Sequence, residues 1–194
     1  MSITTTEQKK RLRREIARRE AQLSQTQRRR SDDALLRRFL ALPELDSCRT
    51  VLLFWGMGAE PETRRLLEPL LGQGKVIGLP RCLPEGKMVF LRYCGQEHLA
   101  RHPYGMMEPE PECPGVDVGG ESLMLVPAVC YDRRCLRLGR GGGYYDRFLS
   151  RYEGRTVGLC RDALLQRQCP AEPHDRGVEL VLTETRTLLR PADG

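Results

Sequence analysis

The sequence predicts a three-layer α/β sandwich with a largely parallel sheet, and three observations carry that expectation. Short apolar runs alternate with helical patterns from Thr50 onward, as successive βαβ units require. The run from Val51 to Trp55 is continuously apolar, the pattern of a strand covered on both faces. The 194 residues, 40 % hydrophobic and 30 % charged, suit one globular domain over 1–194 with a sizeable core.

Before the alternation begins, Thr6 to about Leu23 reads as a basic helix, with Leu12, Ile16 and Leu23 on a roughly helical period. Ser24 has the chemistry of an N-cap for a continuation, and Ser31 with Asp32 and Asp33 opens a stronger one. In that second helix Leu35, Leu36, Phe39 and Leu40 share a face, and Pro43 ends it. After the strand at Val51, Pro61 suits the first turn of a helix that turns Leu66, Leu67, Leu70 and Leu71 to the core. Gly72 and Gly74 close that helix. Val76 to Leu79 is the next strand, stopped by Pro80, and Met88 to Tyr93 another. From Arg101 to Gly120, proline and glycine are dense enough to predict loop throughout. Leu123 to Val129 is a strand with Pro127 at its end or at a bulge. A helix from Tyr144 to about Tyr152 and strands at Thr156 to Leu159 and Val178 to Leu182 complete the chain.

Composition bounds the function. The net charge of +6 favours anionic partners without choosing among them. No apolar run approaches bilayer length, and the basic start at Lys9 is followed by no apolar core and cleavage site, so a cytoplasmic protein without a membrane partner is expected. The eight cysteines form neither a C-x-x-C pair nor a zinc-spaced cluster and read as reduced, mostly buried thiols. The arginine-rich first helix raises the question of nucleic acid. Glu15 and Glu20 interrupt it and no aromatic platform accompanies it, so no nucleic-acid partner is expected.

Chemistry concentrates in Arg137-Leu138-Gly139-Arg140-Gly141-Gly142-Gly143-Tyr144-Tyr145-Asp146. Four glycines in five positions let successive N–H groups converge on one point, and a helix then starts, which favours an anion there. Arg137 and Arg140 can donate charge-assisted hydrogen bonds to phosphate oxygens. Asp146, in the first helical turn, can hold Mg²⁺ against them. Glycine richness alone is equally a plain strand-to-helix turn, and neither the Walker nor the Rossmann pattern is present. The two arginines, the tyrosine pair and the aspartate tip the balance to a phosphate site.

The run Leu138 to Leu149 resembles the signature of the 5-formyltetrahydrofolate cyclo-ligase (methenyltetrahydrofolate synthetase) family. The resemblance extends in order along nearly the whole chain, through Lys9 and Arg13, Glu60 with Glu62 and Thr63, Pro80-Arg81, Tyr104-Gly105, Glu108-Pro109, Asp132 and His174-Asp175. It implies the fold shared by sugar-phosphate isomerases and CoA transferases, and a reaction that uses ATP and Mg²⁺ to convert 5-formyltetrahydrofolate to 5,10-methenyltetrahydrofolate. In that reaction the γ-phosphoryl group activates the formyl oxygen and N10 closes the ring, so no nucleophilic side chain is needed. By matched position, Lys9, Arg13, Arg137, Leu138, Gly139, Arg140, Gly141, Gly142, Gly143, Tyr144 and Tyr145 would hold ATP. Asp146 and Asp175 would bind Mg²⁺. Trp55, Glu60, Tyr104 and Tyr144 would line the folate pocket, with Arg140, Tyr144 and Asp146 acting at the reacting groups.

Some positions depart from that family's usual pattern. Gly142 stands where a lysine is common, Cys135 and Ala128 where glycines are, Arg161 and Leu164 where an aromatic and a glutamine are, and Glu179 where an aspartate is. These departures leave room for an ATP-dependent enzyme on the same scaffold with a different pterin or amide substrate.

Overall fold

A computed structural model describes residues 3–58 and 60–191. The single-domain expectation for 1–194 also covers positions 1, 2, 59 and 192–194, which lie outside the described residues.

Helix α1 (Thr5–Gln22) starts at a reciprocal capping box of Thr4 and Glu7, and α2 (Gln25–Leu40) at one of Ser24 and Gln27. The stronger start expected at Ser31 is absent, because that position lies inside α2 and its polar neighbours serve tertiary contacts instead. Ser31 bonds Glu184, Asp32 pairs with Arg161 and Asp33 with Arg65. After the short α3 (Glu44–Ser47) come β1 (Thr50–Leu52), a 3₁₀ turn at Thr63–Leu66 and α4 (Leu67–Gly72). Pro61 therefore precedes a 3₁₀ turn rather than an α-helix. Leu66, Leu67 and Leu70 are buried as expected, but Leu71 is 45 % exposed, since the tighter turn rotates it off the inward face.

Strand β2 (Val76–Cys82) runs through Pro80 and pairs antiparallel with β3 (Met88–Arg92). Alternation explains why proline is tolerated. The Ile77 carbonyl accepts from Tyr93 on the β3 side, while that of Gly78 accepts from Leu53 on the β1 side. Pro80 therefore turns its nitrogen to the β1 side, where the β1–β2 pairing has already ended at Leu52 and Gly78. The stretch predicted to be loop contains part of a small hairpin, β4 (Leu99–Arg101) with β5 (Met107–Pro109), which closes around the His102 to Met106 turn. Next come β6 (Ser122–Val126), the two-residue strands β7 (Cys130–Tyr131) and β8 (Arg137–Leu138), and α5 (Tyr144–Leu149). β9 (Arg155–Leu159), β10 (Leu180–Leu182) and an edge strand missed in the sequence, β11 (Thr187–Leu189), finish the order.

The main sheet runs β11-β10-β9-β6-β1-β2-β3, parallel from β10 to β2 and antiparallel at both edges. One face buries Leu35, Phe39, Leu66 and Leu70, and the other buries Ile16, Tyr131 and Phe148. Each such side chain stabilises the fold by roughly 1.5–3 kcal/mol. The chain passes from β1 to β2 on one side and returns to β6 on the other. Between β1 and β6 the sheet therefore has a topological switch point, where the carboxyl ends of the strands leave a crevice.

Candidate functional site

The crevice at the switch point is one of two cavities that meet at the glycine loop. Its walls are Phe54, Trp55 and Met57 after β1, Pro127 and Ala128 after β6, and Tyr144 and Tyr145, enclosing about 410 Å³. Thr63, fully buried, shapes the β1 side: its Oγ1 donates to the Phe54 carbonyl and accepts the Gly56 N–H at 3.1 Å, which holds the backbone around Trp55. The Glu60 carboxylate accepts the Met57 N–H at 3.0 Å and the Arg140 Nε–H at 2.9 Å. Tyr104 stands at the mouth, 72 % exposed, its ring 4.9 Å from that of His102. Cys82 is in the lining, and burial, then a hydrogen bond and the charge of Glu108, push its thiol up to about 12. Such a thiol is no nucleophile at neutral pH.

On the other side of the loop lies a polar cleft of about 530 Å³. Lys9 and Arg13, one turn apart on α1, enter it together. Lys9 Nζ lies 2.6 Å from Glu172 Oε2 and 2.6 Å from Asp175 Oδ2. Burial alone would lower the Lys9 pKa, but the bonds to Asp175 and Glu172 outweigh it and the ammonium is held above its usual range. Burial likewise opposes ionisation of Asp175, yet Lys9 and the Glu172 N–H lower its pKa. Arg13 Nε donates to the Gly139 carbonyl at 2.8 Å, tying α1 to the loop.

Arg137, with 4 % of its side chain exposed, is held from three sides. It pairs with Asp146 Oδ1 at 2.6 Å, donates to the Arg176 carbonyl at 3.1 Å and lies 5.9 Å from the centre of the Tyr145 ring. Asp146 also accepts the Arg176 N–H at 3.1 Å, so it is joined to the backbone beside Asp175.

The loop itself is prepared for an anion. Gly141 (φ 105°) and Gly143 (φ 68°) occupy the left-handed region that side chains avoid. Among the described residues, the N–H groups of Arg140, Gly141, Gly142 and Gly143 meet no acceptor within the protein. Because α5 has only six residues, these amides and the nearby guanidinium groups matter more than a helix dipole. Upstream, buried Asp132 accepts N–H groups of Arg134, Leu136 and Cys169 at 2.8–3.0 Å and fixes the turn that delivers β8 to the loop. Cys135, in that turn, has φ 61°, the conformation glycine takes most easily.

The predicted residues thus divide between two connected cavities. Lys9, Arg13, Leu138, Gly139, Asp146 and Asp175 line the cleft, and Trp55, Glu60, Tyr104, Tyr144 and Tyr145 line the crevice. Arg137, Gly139, Gly141, Gly142, Gly143 and Asp146 face both. Arg140 reaches toward the crevice and Glu60, and is not in the cleft lining. Tyr145, grouped by sequence with the loop, presents its ring to the crevice. Its hydroxyl is buried and, among the described residues, without a hydrogen-bond partner, and burial raises its pKa.

Sequence reasoning missed Glu172, Arg147 and Arg176. Glu172 carried no signal because its partner Lys9 is 163 positions away. Arg147 could have been found, one turn into α5. Its guanidinium donates to the Gly142 carbonyl at 2.8 Å and lies 5.6 Å from the centre of the Tyr144 ring. Glu172, His174 and Asp175 bring three possible metal-ligand atoms within 4.8 Å of one another. Cations, free amides and carboxylates in one cleft suit a metal-bound polyphosphate.

The sequence matches the 5-formyltetrahydrofolate cyclo-ligase family over residues 5–184. It is 34% identical over 150 residues to the 5-formyltetrahydrofolate cyclo-ligase of Mycolicibacterium smegmatis, covering 74% of this chain and 77% of the relative. With the Escherichia coli K12 enzyme of the same name it shares 30% identity over 155 residues, 77% of this chain and 85% of the relative. The solution structure of Aquifex aeolicus 5,10-methenyltetrahydrofolate synthetase superposes with a TM-score of 0.84 at 27% identity, covering 96% of this chain and 95% of that one.

Proposed function

The chain belongs to the 5-formyltetrahydrofolate cyclo-ligase family, ATP-dependent ligases that convert 5-formyltetrahydrofolate to 5,10-methenyltetrahydrofolate, and from that premise we propose how its own residues divide the work. The observation that carries the reading is the shared wall: one glycine loop separates a cationic cleft from an aromatic crevice. A phosphoryl donor in the first and a formyl acceptor in the second would meet across it.

ATP supplies the phosphoryl group that turns the formyl oxygen into a leaving group, and Mg²⁺ offsets the charge on its phosphates. Toward the nucleotide, the free amides of Arg140 to Gly143 donate to phosphate oxygens, with Lys9, Arg13 and Arg137 adding charge. Asp146 and Asp175 would hold the metal. In the described arrangement Lys9 itself is the cation between Glu172 and Asp175. With a nucleotide and metal in the cleft, Lys9 would turn from these carboxylates to phosphate and Asp175 would be free to hold the metal.

Toward the folate, Trp55, Tyr104 and Tyr144 stack on the pterin, and Glu60 accepts hydrogen bonds from its donor edge. Arg140, steered by Glu60, lies where it can meet charge developing at the formyl oxygen. The unpartnered Tyr145 hydroxyl supplies a further donor inside the crevice. Catalysis on this account is positioning and charge stabilisation. The whole of 1–194 is proposed to act as one domain, and its free cysteines suit a reducing, cytoplasmic setting.

The test is the absorbance of the methenyl product after 5-formyltetrahydrofolate, ATP and Mg²⁺ are mixed with the protein. Product is expected only when all are present. Nucleotide binding with no product would refute the folate assignment, and product without ATP would refute the cleft's role.

A further inference from the structure

A second cluster of metal-ligating side chains lies away from the nucleotide cleft. Cys82 at the end of β2, His102 in the turn of the β4–β5 hairpin and Glu108 on β5 bring one ligand atom each within 4.8 Å of one another. Their chemistry is mixed: a soft thiol, an imidazole and a carboxylate. Oxygen-seeking Mg²⁺ is poorly served by such a set, whereas Zn²⁺ takes all three.

Glu108 gives an independent reason to look for a cation. It is 4 % exposed, its Oε1 accepts the Cys82 N–H at 3.0 Å, and among the described residues it forms no ion pair. A glutamate so buried is ordinarily matched by a positive group. The imidazole that could serve stands too far for an ion pair, yet close enough for an ion to bridge the two. Tetrahedral Zn²⁺ bonds of about 2.0–2.3 Å hold neighbouring ligand atoms about 3.5 Å apart, so no pair in the cluster need close by more than about an ångström. His102 can make that movement, since it lies on a surface turn beside an exposed Tyr104. At present its Nδ1 accepts the Tyr104 N–H at 3.2 Å, a bond that coordination would replace.

We propose that Cys82, His102 and Glu108 form a Zn²⁺ site, with water in the fourth position, that latches the β4–β5 hairpin to the end of β2. Binding places the metal on the Cys82 sulfur and releases the thiol proton to solvent. Because Tyr104 is two residues from His102, the latch also sets the mouth of the crevice.

Co²⁺ provides a visible probe of the full-length reduced protein. One equivalent is expected to give a thiolate-to-cobalt band with tetrahedral d–d bands, erased by Zn²⁺, and Zn²⁺ is expected to raise Tm. His102→Ala and Cys82→Ser should lose the signal with an unchanged far-ultraviolet circular dichroism spectrum. Glu108→Gln, which keeps an acceptor for the Cys82 N–H, should weaken binding roughly tenfold or more. The same bands at the same affinity in His102→Ala would overturn the proposal by assigning them to other cysteines. So would Co²⁺ spectra of wild type lacking any thiolate band.

Discussion

Replacing Lys9 with methionine keeps the length of the side chain and removes its charge, and the structure predicts two opposite effects. In the free protein the ammonium sits 2.6 Å from both Glu172 and Asp175, with only a tenth of its side chain exposed. On the proposed assignment it would be the competitor of a divalent cation at these carboxylates. A unit charge about 4 Å away changes a cation's energy by about 1 kcal/mol in water and about 4 kcal/mol near a protein surface. Free Mg²⁺ should accordingly bind Lys9→Met at least about fivefold more tightly than wild type. The nucleotide meets the reverse. A charge-assisted bond to phosphate is worth about 1.5–3 kcal/mol, but wild type must first break two bonds to carboxylates, so the loss falls at the lower end. KM for ATP should rise about tenfold. Calorimetric titration of Mg²⁺ without nucleotide, alongside steady-state kinetics, reads both quantities. If Mg²⁺ affinity and KM for ATP both stay at wild-type values, the exchange of Lys9 between carboxylate and phosphate is wrong.

Other perturbations separate structure from function. Tyr145→Phe removes a buried hydroxyl with no partner, so Tm should hold or rise by the equivalent of about 1 kcal/mol while KM for 5-formyltetrahydrofolate increases; a fall in both stability and affinity would point to a merely structural hydroxyl. Asp146→Ala and Arg140→Ala should each cost about ten- to a hundredfold in turnover, and wild-type rates in both would remove the glycine loop from the chemistry. Cys135→Gly relieves a φ of 61° by roughly 1 kcal/mol but empties part of a buried side chain; thermal melts should show a shift of less than about 1 kcal/mol either way, and a large loss would mean the sulfur packing dominates. The Lys9–Asp175 pair gives a pH signature. Asp175, with its pKa lowered, adds stability above its unfolded value of about 3.9 and loses it as pH falls through the folded one. Lys9, with its pKa raised, adds stability below about 10.4 and loses it as pH rises further. The Tm difference between wild type and Lys9→Met should thus be flat near neutrality and shrink at both extremes, and a difference that persists in strong acid would contradict it.

What the sequence made legible was whatever depends on near neighbours. Apolar runs located the parallel strands, and the spacing of glycines with Arg137 and Asp146 located the loop that both cavities share. Ser31 misled because a helix-capping residue type looks the same when it bonds a glutamate 153 positions away. Pro80 misled because only sheet alternation reveals which side its nitrogen faces. Arg140 could be read as a loop cation, but its turn toward Glu60, 80 positions distant, depends on how β1 and the loop approach each other. The β4–β5 hairpin was hidden by Pro103 in its turn and by Pro109, which ends β5 itself.

Lys9 meets Glu172 across 163 positions, and Arg13 meets Gly139 across 126. Loop closure over such spans comes late, after the local units have formed. On the proposed assignment, nucleotide affinity would report on the whole polypeptide: a chain with its sheet assembled but α1 undocked would have a core and lack Lys9 and Arg13 in the cleft. Conversely, a ligand that engages Lys9 and Arg13 draws α1 down and stabilises every element it bridges.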